Sequence, residues 1–277
     1  MMAYIEFHLT TADESTAEIL VALLSEMGFD TFEQDENNVF AYIHENEFNE
    51  TIEPQIIELQ SQFVFTYASK HIAQKNWNEE WENNFQPVEV EGRCLIRATF
   101  HAPGKNFEEE IVIEPRMAFG TGHHESTYLM VQQMLDMQFD EKFVCDAGCG
   151  TGILAILAAK RNAKKVIAID NNEWAYNNAL DNLAINNVTE KVQLELGEPE
   201  MLQNRKFDII LANINKSVIL ENLHLFAKIL QPKGQLLVSG ILIPDLQDIT
   251  MEAEKYKLQL WSSHTRNDWV CALYTAN

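Results

Sequence analysis

The chain has 277 residues, 46% of them hydrophobic, which is ample for one large packed domain and a small one. Its 42 acidic and 20 basic residues give a formal net charge of −22, a balance set against the phosphates of nucleic acid. No apolar run is long enough to cross a bilayer, the start Met1-Met2-Ala3-Tyr4-Ile5-Glu6 lacks the basic and apolar regions of a signal peptide, and Cys94, Cys145, Cys149 and Cys271 have no metal-ligand spacing, so a cytosolic protein with reduced, mostly buried thiols is expected.

Residues 1–72 predict the order β-α-β-β-α-β. Tyr4–Thr10 alternates as a strand does, Ser15–Met27 has the apolar spacing of a helix that Gly28 ends, and Phe29–Gln34 and Val39–His44 form two strands around the turn residues 35–38. A helix over about Asn49–Phe63 leads into a strand at Phe65–Ile72. This order suggests a ferredoxin-like module of split βαβ type, a fold that alone indicates only a small docking or regulatory unit. The module holds fourteen acidic residues against the single base Lys70, a charge of −13 that attracts cationic partners. The plainer alternative is a solubilising surface.

Next, Trp77, Trp81 and Phe85 recur every four residues and predict a connecting helix with one aromatic face. Short strands are expected at Cys94–Thr99 and Glu110–Ile113. The polar loop Phe119-Gly120-Thr121-Gly122-His123-His124 then feeds a helix beginning near Glu125, where Thr127 offers a hydroxyl either to a ligand or to the helix's own first turn. The adjacent histidines invite a metal, but no partner ligand has recognisable spacing and none is expected.

From about residue 125 the alternation is that of a doubly wound parallel sheet, with strands at Phe143–Asp146, Val166–Asp170, Val192–Leu196, Phe207–Ala212, Gln235–Ser239, Leu258–Ser262 and Val270–Tyr274. Gln231-Pro232-Lys233-Gly234 is a breaker before the fifth of these. The first strand runs into Asp146-Ala147-Gly148-Cys149-Gly150-Thr151-Gly152, and the second ends in Asp170. A glycine turn that opens a helix lets a ligand approach the backbone and its free N–H groups, while an acidic strand end accepts hydrogen bonds from ribose hydroxyls. A dinucleotide fingerprint needs Gly or Ala where this chain has Ile153, which disfavours a nicotinamide enzyme. The fourth strand ends in Ala212-Asn213-Ile214 beside the first, at the switch point where ligands bind. The amide carbonyl of Asn213 is placed to accept a hydrogen bond from an incoming amine and aim its lone pair, so Asn213 is the candidate catalytic residue.

The G-x-G-x-G turn with Asp146 before it and Asp170 after it resembles the class I S-adenosylmethionine-dependent methyltransferases. Together with Ala118-Phe119-Gly120-Thr121-Gly122-His123-His124-Glu125-Ser126-Thr127, Leu211-Ala212-Asn213-Ile214 and Asn76-Trp77-Asn78-Glu79-Glu80-Trp81, the resemblance narrows to the bacterial family that methylates the large-subunit ribosomal protein numbered eleven, over nearly the whole chain. That resemblance implies an α/β Rossmann-like doubly wound catalytic domain over residues 87–277, a linker helix over 73–86 and a small α+β domain over 1–72 that recognises the protein substrate. It implies S-adenosylmethionine contacts from Thr127, Gly148, Asp170 and Asn213; Asp146 and Gly150 in the turn and Phe119 and Gly120 in the preceding loop complete the expected cofactor set. Methyl groups would go to lysine and N-terminal amines of a basic ribosomal protein, often to the trimethyl state, by a monomeric enzyme without nucleic acid. Two features depart from the family pattern: Pro115-Arg116-Met117 replaces a Pro-Gly pair, and Lys216 follows the Asn213 segment, where a cation is unhelpful to an amine substrate unless it points away.

Overall fold

A computed structural model describes residues 4–72, 85–114 and 120–277 and divides the chain into two compact units, Met1–Asn83 and Asn84–Asn277. The predicted connecting helix, with Trp77 and Trp81, lies outside the described residues except for its end at Phe85.

The first unit is β1 (Tyr4–Thr11), α1 (Glu14–Glu26), β2 (Thr31–Asp35), β3 (Asn38–His44), α2 (Ile52–Gln60) and β4 (Phe65–Ile72), with an antiparallel sheet ordered β2-β3-β1-β4. Alternation puts Ile5, Phe7 and Leu9 of β1 and Val39, Ala41 and Ile43 of β3 on one face, where they pack with Leu20 and Leu24 of α1 and Ile56 of α2. Asp13 starts α1 by accepting from the Thr16 N–H at 2.8 Å. At the other end Gly28, at φ +97°, turns the chain so that the Phe29 N–H reaches the Leu24 carbonyl at 3.2 Å. That bond closes the helix, which is why β2 begins at Thr31 rather than at Phe29. Similarly, the predicted helix from Asn49 begins only at Ile52, because the Asn49 side-chain Oδ1 accepts from the Thr51 N–H in a local turn.

The second unit opens with β5 (Val88–Val90), β6 (Cys94–Ala98) and β7 (Glu109–Ile113) in a small sheet ordered β5-β6-β7; β5 is too short to carry a pattern and was not predicted. Then come α3 (Glu125–Asp136), β8 (Phe143–Ala147), α4 (Ile153–Lys160), β9 (Lys165–Asp170), α5 (Glu173–Ile185), β10 (Val192–Leu196), β11 (Phe207–Asn213), α6 (Lys216–Ile229), β12 (Leu230–Leu242), α7 (Leu246–Lys255), β13 (Leu258–Arg266) and β14 (Trp269–Ala276). They build a sheet ordered β10-β9-β8-β11-β12-β14-β13. The order reverses between β8 and β11, where the first and fourth strands of this sheet are neighbours.

Both faces of this sheet are covered. Val144, Ile209 and Leu211 face Met130, Met134, Leu157 and Leu183 of α3, α4 and α5, whereas Cys145, Ile210 and Leu236 face Leu223, Phe226 and Ile249 of α6 and α7. Two expectations are corrected. The sheet is not wholly parallel: β14 is antiparallel to both β12 and β13, because a two-residue turn at Asn267-Asp268 can only make a hairpin. The 231–234 breaker does not precede the fifth strand but interrupts its pairing, with the ladder stepping from Phe207 with Leu230 to Ile209 with Gln235 around Lys233 at φ +62°.

Phe7 is fully buried, edge-on to Phe29 at 5.4 Å and stacked on Tyr67 at 5.9 Å. Phe7→Ala is expected to destabilise the first unit by about 3–5 kcal/mol, read as a lower denaturant midpoint; a change under about 1 kcal/mol would contradict this packing.

Candidate active site

The cleft lies at the carboxyl ends of β8, β9, β10 and β11, has a volume of about 1220 Å³, and among the described residues is lined by the second unit. Its floor is the turn between β8 and α4. The Gly148 and Cys149 N–H groups bond to the Ile169 carbonyl at 2.9 and 3.1 Å, and the Gly152 N–H to the Cys149 carbonyl at 2.8 Å. Gly148 sits at φ +73°, and a Cβ there would lie 2.4 Å from Ile214 Cγ2, so only glycine fits between the turn and the β11 loop.

Asp170 ends β9 with both carboxylate oxygens engaged by backbone. Oδ2 accepts from the Gly150 N–H and Oδ1 from the Asn172 N–H, each at 2.9 Å, which fixes the carboxylate on the cleft wall while leaving acceptor capacity on both oxygens. Gly120, Gly148, Gly150, Asp170 and Asn213 of the predicted cofactor set all line this cleft. Phe119 lies outside the described residues.

Thr127 and Asp146 stand behind the wall. Thr127 is fully buried in the first turn of α3, and its hydroxyl oxygen accepts from the Asn213 Nδ2 amide at 3.2 Å. That bond directs the Asn213 side chain, whose carbonyl Oδ1 is buried with no hydrogen-bond partner among the described residues. Leaving an acceptor so costs about 1–3 kcal/mol, which a donor bound in the cleft would recover. Asp146 lies beneath the turn, where one carboxylate oxygen accepts from the Ala155 N–H of α4 at 3.0 Å and the other has no partner among the described residues. Burial, reinforced by the charge of Asp170, pushes its carboxyl up to about 7.

The two histidines diverge. His123 donates from Nε2 to the Gln86 carbonyl at 2.8 Å and meets the Phe85 ring, whereas His124 caps α3, its Nδ1 accepting from the Ser126 N–H, and lies edge-on to Trp269 at 4.4 Å. No group of three or more ligating side chains able to hold a metal is found among the described residues. Lys216 is drawn off toward α7 by Asp245 at 2.9 Å and Asp248 at 2.7 Å, and it does not line the cleft. The four cysteines are free and buried. Trp269 at the cleft and a buried row of asparagines on α5 escaped the sequence reading; the row's spacing, 178, 182 and 186, was visible as a helical i, i+4, i+8 series.

Sheet order, glycine turn and acidic strand end together define a methyltransferase of the Rossmann-like class I fold. The ribosomal protein L11 methylase of Lactobacillus delbrueckii subsp. bulgaricus superposes on it with a TM-score of 0.65 at 26% identity, covering 70% of this chain and all of that one. The family model described as Ribosomal protein L11 methyltransferase (PrmA) matches residues 8–277. Relatives named ribosomal protein L11 methyltransferase include one from Phocaeicola vulgatus, 38% identical over 99% of both chains, and one from Porphyromonas gingivalis, 39% identical over 95% of this chain and 91% of the relative. The chain belongs to the ribosomal protein L11 methyltransferase family.

The buried Asp146 carboxyl titrates higher in the folded chain than in the unfolded one, so its stabilising contribution is complete below about pH 4 and is lost as pH rises through about 7. Relative to Asp146→Asn, the wild type is expected to lose about 2 kcal/mol of stability between pH 5.5 and 8. Parallel denaturant curves for the two proteins across that range would refute the buried, neutral carboxyl.

Proposed function

We propose that the cleft binds S-adenosylmethionine and that the chain methylates lysine side chains and the N-terminal amine of ribosomal protein L11, carrying lysines to the trimethyl state. The observation that carries this reading is the buried, unpartnered carbonyl of Asn213 at the switch point, an acceptor with a cleft beside it. The residues fit the cofactor: a turn whose closest approach excludes a Cβ, a wall carboxylate with acceptor capacity to spare for ribose hydroxyls, and one orphan acceptor for an amine. When bound, S-adenosylmethionine supplies an electrophilic methyl group on a sulfonium for in-line displacement by a neutral amine.

The work left to the protein is alignment. At neutral pH only about one lysine amine in two thousand carries a free lone pair, so the site has to accept the neutral form or let the proton go to water. In the first two transfers Asn213 Oδ1 accepts one amine N–H and turns the lone pair toward the methyl group, while Thr127 holds the amide in that attitude; the dimethylated amine has no N–H left and is aligned by the cleft alone. Withdrawal of Lys216 onto Asp245 and Asp248 keeps its cation away from the incoming amine. The first unit, at −13 over residues 1–72, recruits the basic ribosomal protein, and a monomer acting in the cytoplasm without nucleic acid completes the reading.

Incubation with methyl-labelled S-adenosylmethionine and ribosomal protein L11, followed by mass spectrometry, is expected to place mass gains of about 14 Da and its multiples on lysine and N-terminal amines; an unmodified substrate would overturn the assignment. Asn213→Ala is expected to lower kcat about 100-fold with cofactor Kd changed less than about threefold, and Asp170→Ala to weaken cofactor binding about 10- to 100-fold by calorimetry. Equal losses of affinity in both variants would contradict the separate roles.

A further inference from the structure

A second network lies behind the cleft wall and, apart from Gly120 at its end, involves none of the groups assigned above to the site. Asn178, Asn182 and Asn186 occupy the buried face of α5, exposed by only 1%, 0% and 6%. Burying three amides is costly unless each finds partners, and an apolar side chain would pack there without that demand. Their partners are the outer edge of β7 and the residue that follows it, where no neighbouring strand stands on that side among the described residues. Asn186 bonds both the Val112 N–H and carbonyl, Asn182 Oδ1 accepts from the Glu114 N–H at 2.8 Å, and Asn178 Nδ2 donates to the Glu114 carbonyl at 3.1 Å.

Asn182 has a second arm. Its Nδ2 donates to the Thr151 carbonyl at 2.9 Å, inside the cofactor turn, and the Thr151 hydroxyl in turn donates to the Gly120 carbonyl at 2.6 Å. Gly120 permits this approach, since a Cβ there would lie 2.8 Å from Thr151 Oγ1. Glu114 and Gly120 are the residues that flank 115–119, so both meet one clasp, Glu114–Asn182–Thr151–Gly120, closed on the turn between Gly150 and Gly152.

We propose that Asn182 and Thr151 are positioning residues that set cofactor affinity by holding the glycine turn and the strand entering the 115–119 segment in one register. The inference rests on the cofactor reading above. Because the two bonds lie in series between Glu114 and Gly120, breaking either opens the clasp and leaves the turn to Asp170 and the Ile169 carbonyl, and breaking the second adds little.

S-adenosylhomocysteine titrated by calorimetry into wild type, Asn182→Leu, Thr151→Val and the double variant tests it, with thermal melts to choose a temperature at which all are folded. Each single change is expected to raise Kd about tenfold, the double change also about tenfold rather than about a hundredfold, and Thr151→Ser, which restores a hydroxyl, is expected to return to within about twofold of wild type. Unchanged Kd in the single variants, multiplicative losses in the double one, or failure of Thr151→Ser to recover would overturn the clasp. Should Asn182→Leu fail to fold, the Thr151→Val and Thr151→Ser pair decides alone. A wild type that does not bind S-adenosylhomocysteine would overturn the cofactor reading itself.

Discussion

The arrangement of the cleft depends on one carboxylate bridging two strand ends. Asp170 takes the Gly150 N–H on one oxygen and the Asn172 N–H on the other, tying the turn after β8 to the start of α5. Its backbone carbonyl also receives the Gly197 N–H from the end of β10. Three strand ends are therefore indexed to a single residue. The glycine turn must present its N–H groups at fixed positions, and charge-assisted hydrogen bonds to a carboxylate are strong enough to hold a loop that carries almost no side chains of its own. In this way backbone, rather than side chains, shapes the floor of the site.

Stability is given up around that floor. Asp146 is buried with its carboxyl pushed up to about 7, and among the described residues neither its second oxygen nor the buried Asn213 carbonyl has a hydrogen-bond partner. Each is a local cost of a kind that functional sites carry and the rest of the fold offsets. The offset is visible in the layers: α4 is apolar all round and buried from Ile153 to Ala159, packing the turn down onto the sheet. The asparagine row on α5 is a different solution to the same problem, since its amides supply β7 with the partners a further strand would have given.

How much of this the sequence discloses depends on whether a feature is local. The strands of the larger sheet are apolar runs between breakers, so their existence was legible, as was the Asp146–Gly152 turn with Asp170 after it. Asn213 was legible because chain order places the fourth strand beside the first at a switch point. What escaped is set by tertiary partners. The antiparallel insertion of β14 follows from a hairpin that returns between two strands already in place, and β13 extends to Arg266 because β14 pairs with it along that length. Thr127 was open between a cap and a ligand contact; the structure gives the cap to His124 and the Thr127 hydroxyl to Asn213, a contact that no spacing encodes. The row at 178, 182 and 186 showed its period but not its meaning, because a buried amide on a helix is explained only by the edge it faces.

A site whose floor is backbone and whose orphan acceptor is one amide also limits where substrate choice can reside. The Asn213 carbonyl favours an N–H or O–H donor over an apolar carbon, but it offers nothing to tell one lysine from another. Selection then has to come from surfaces away from the chemistry. The charge is distributed accordingly, with −13 of the chain's −22 gathered in the first 72 residues. Screening confines such a field to about 8 Å at physiological salt, so under the proposed function it would act on encounter and orientation with a basic partner and not in the cleft, from which the nearby cation, Lys216, is drawn off.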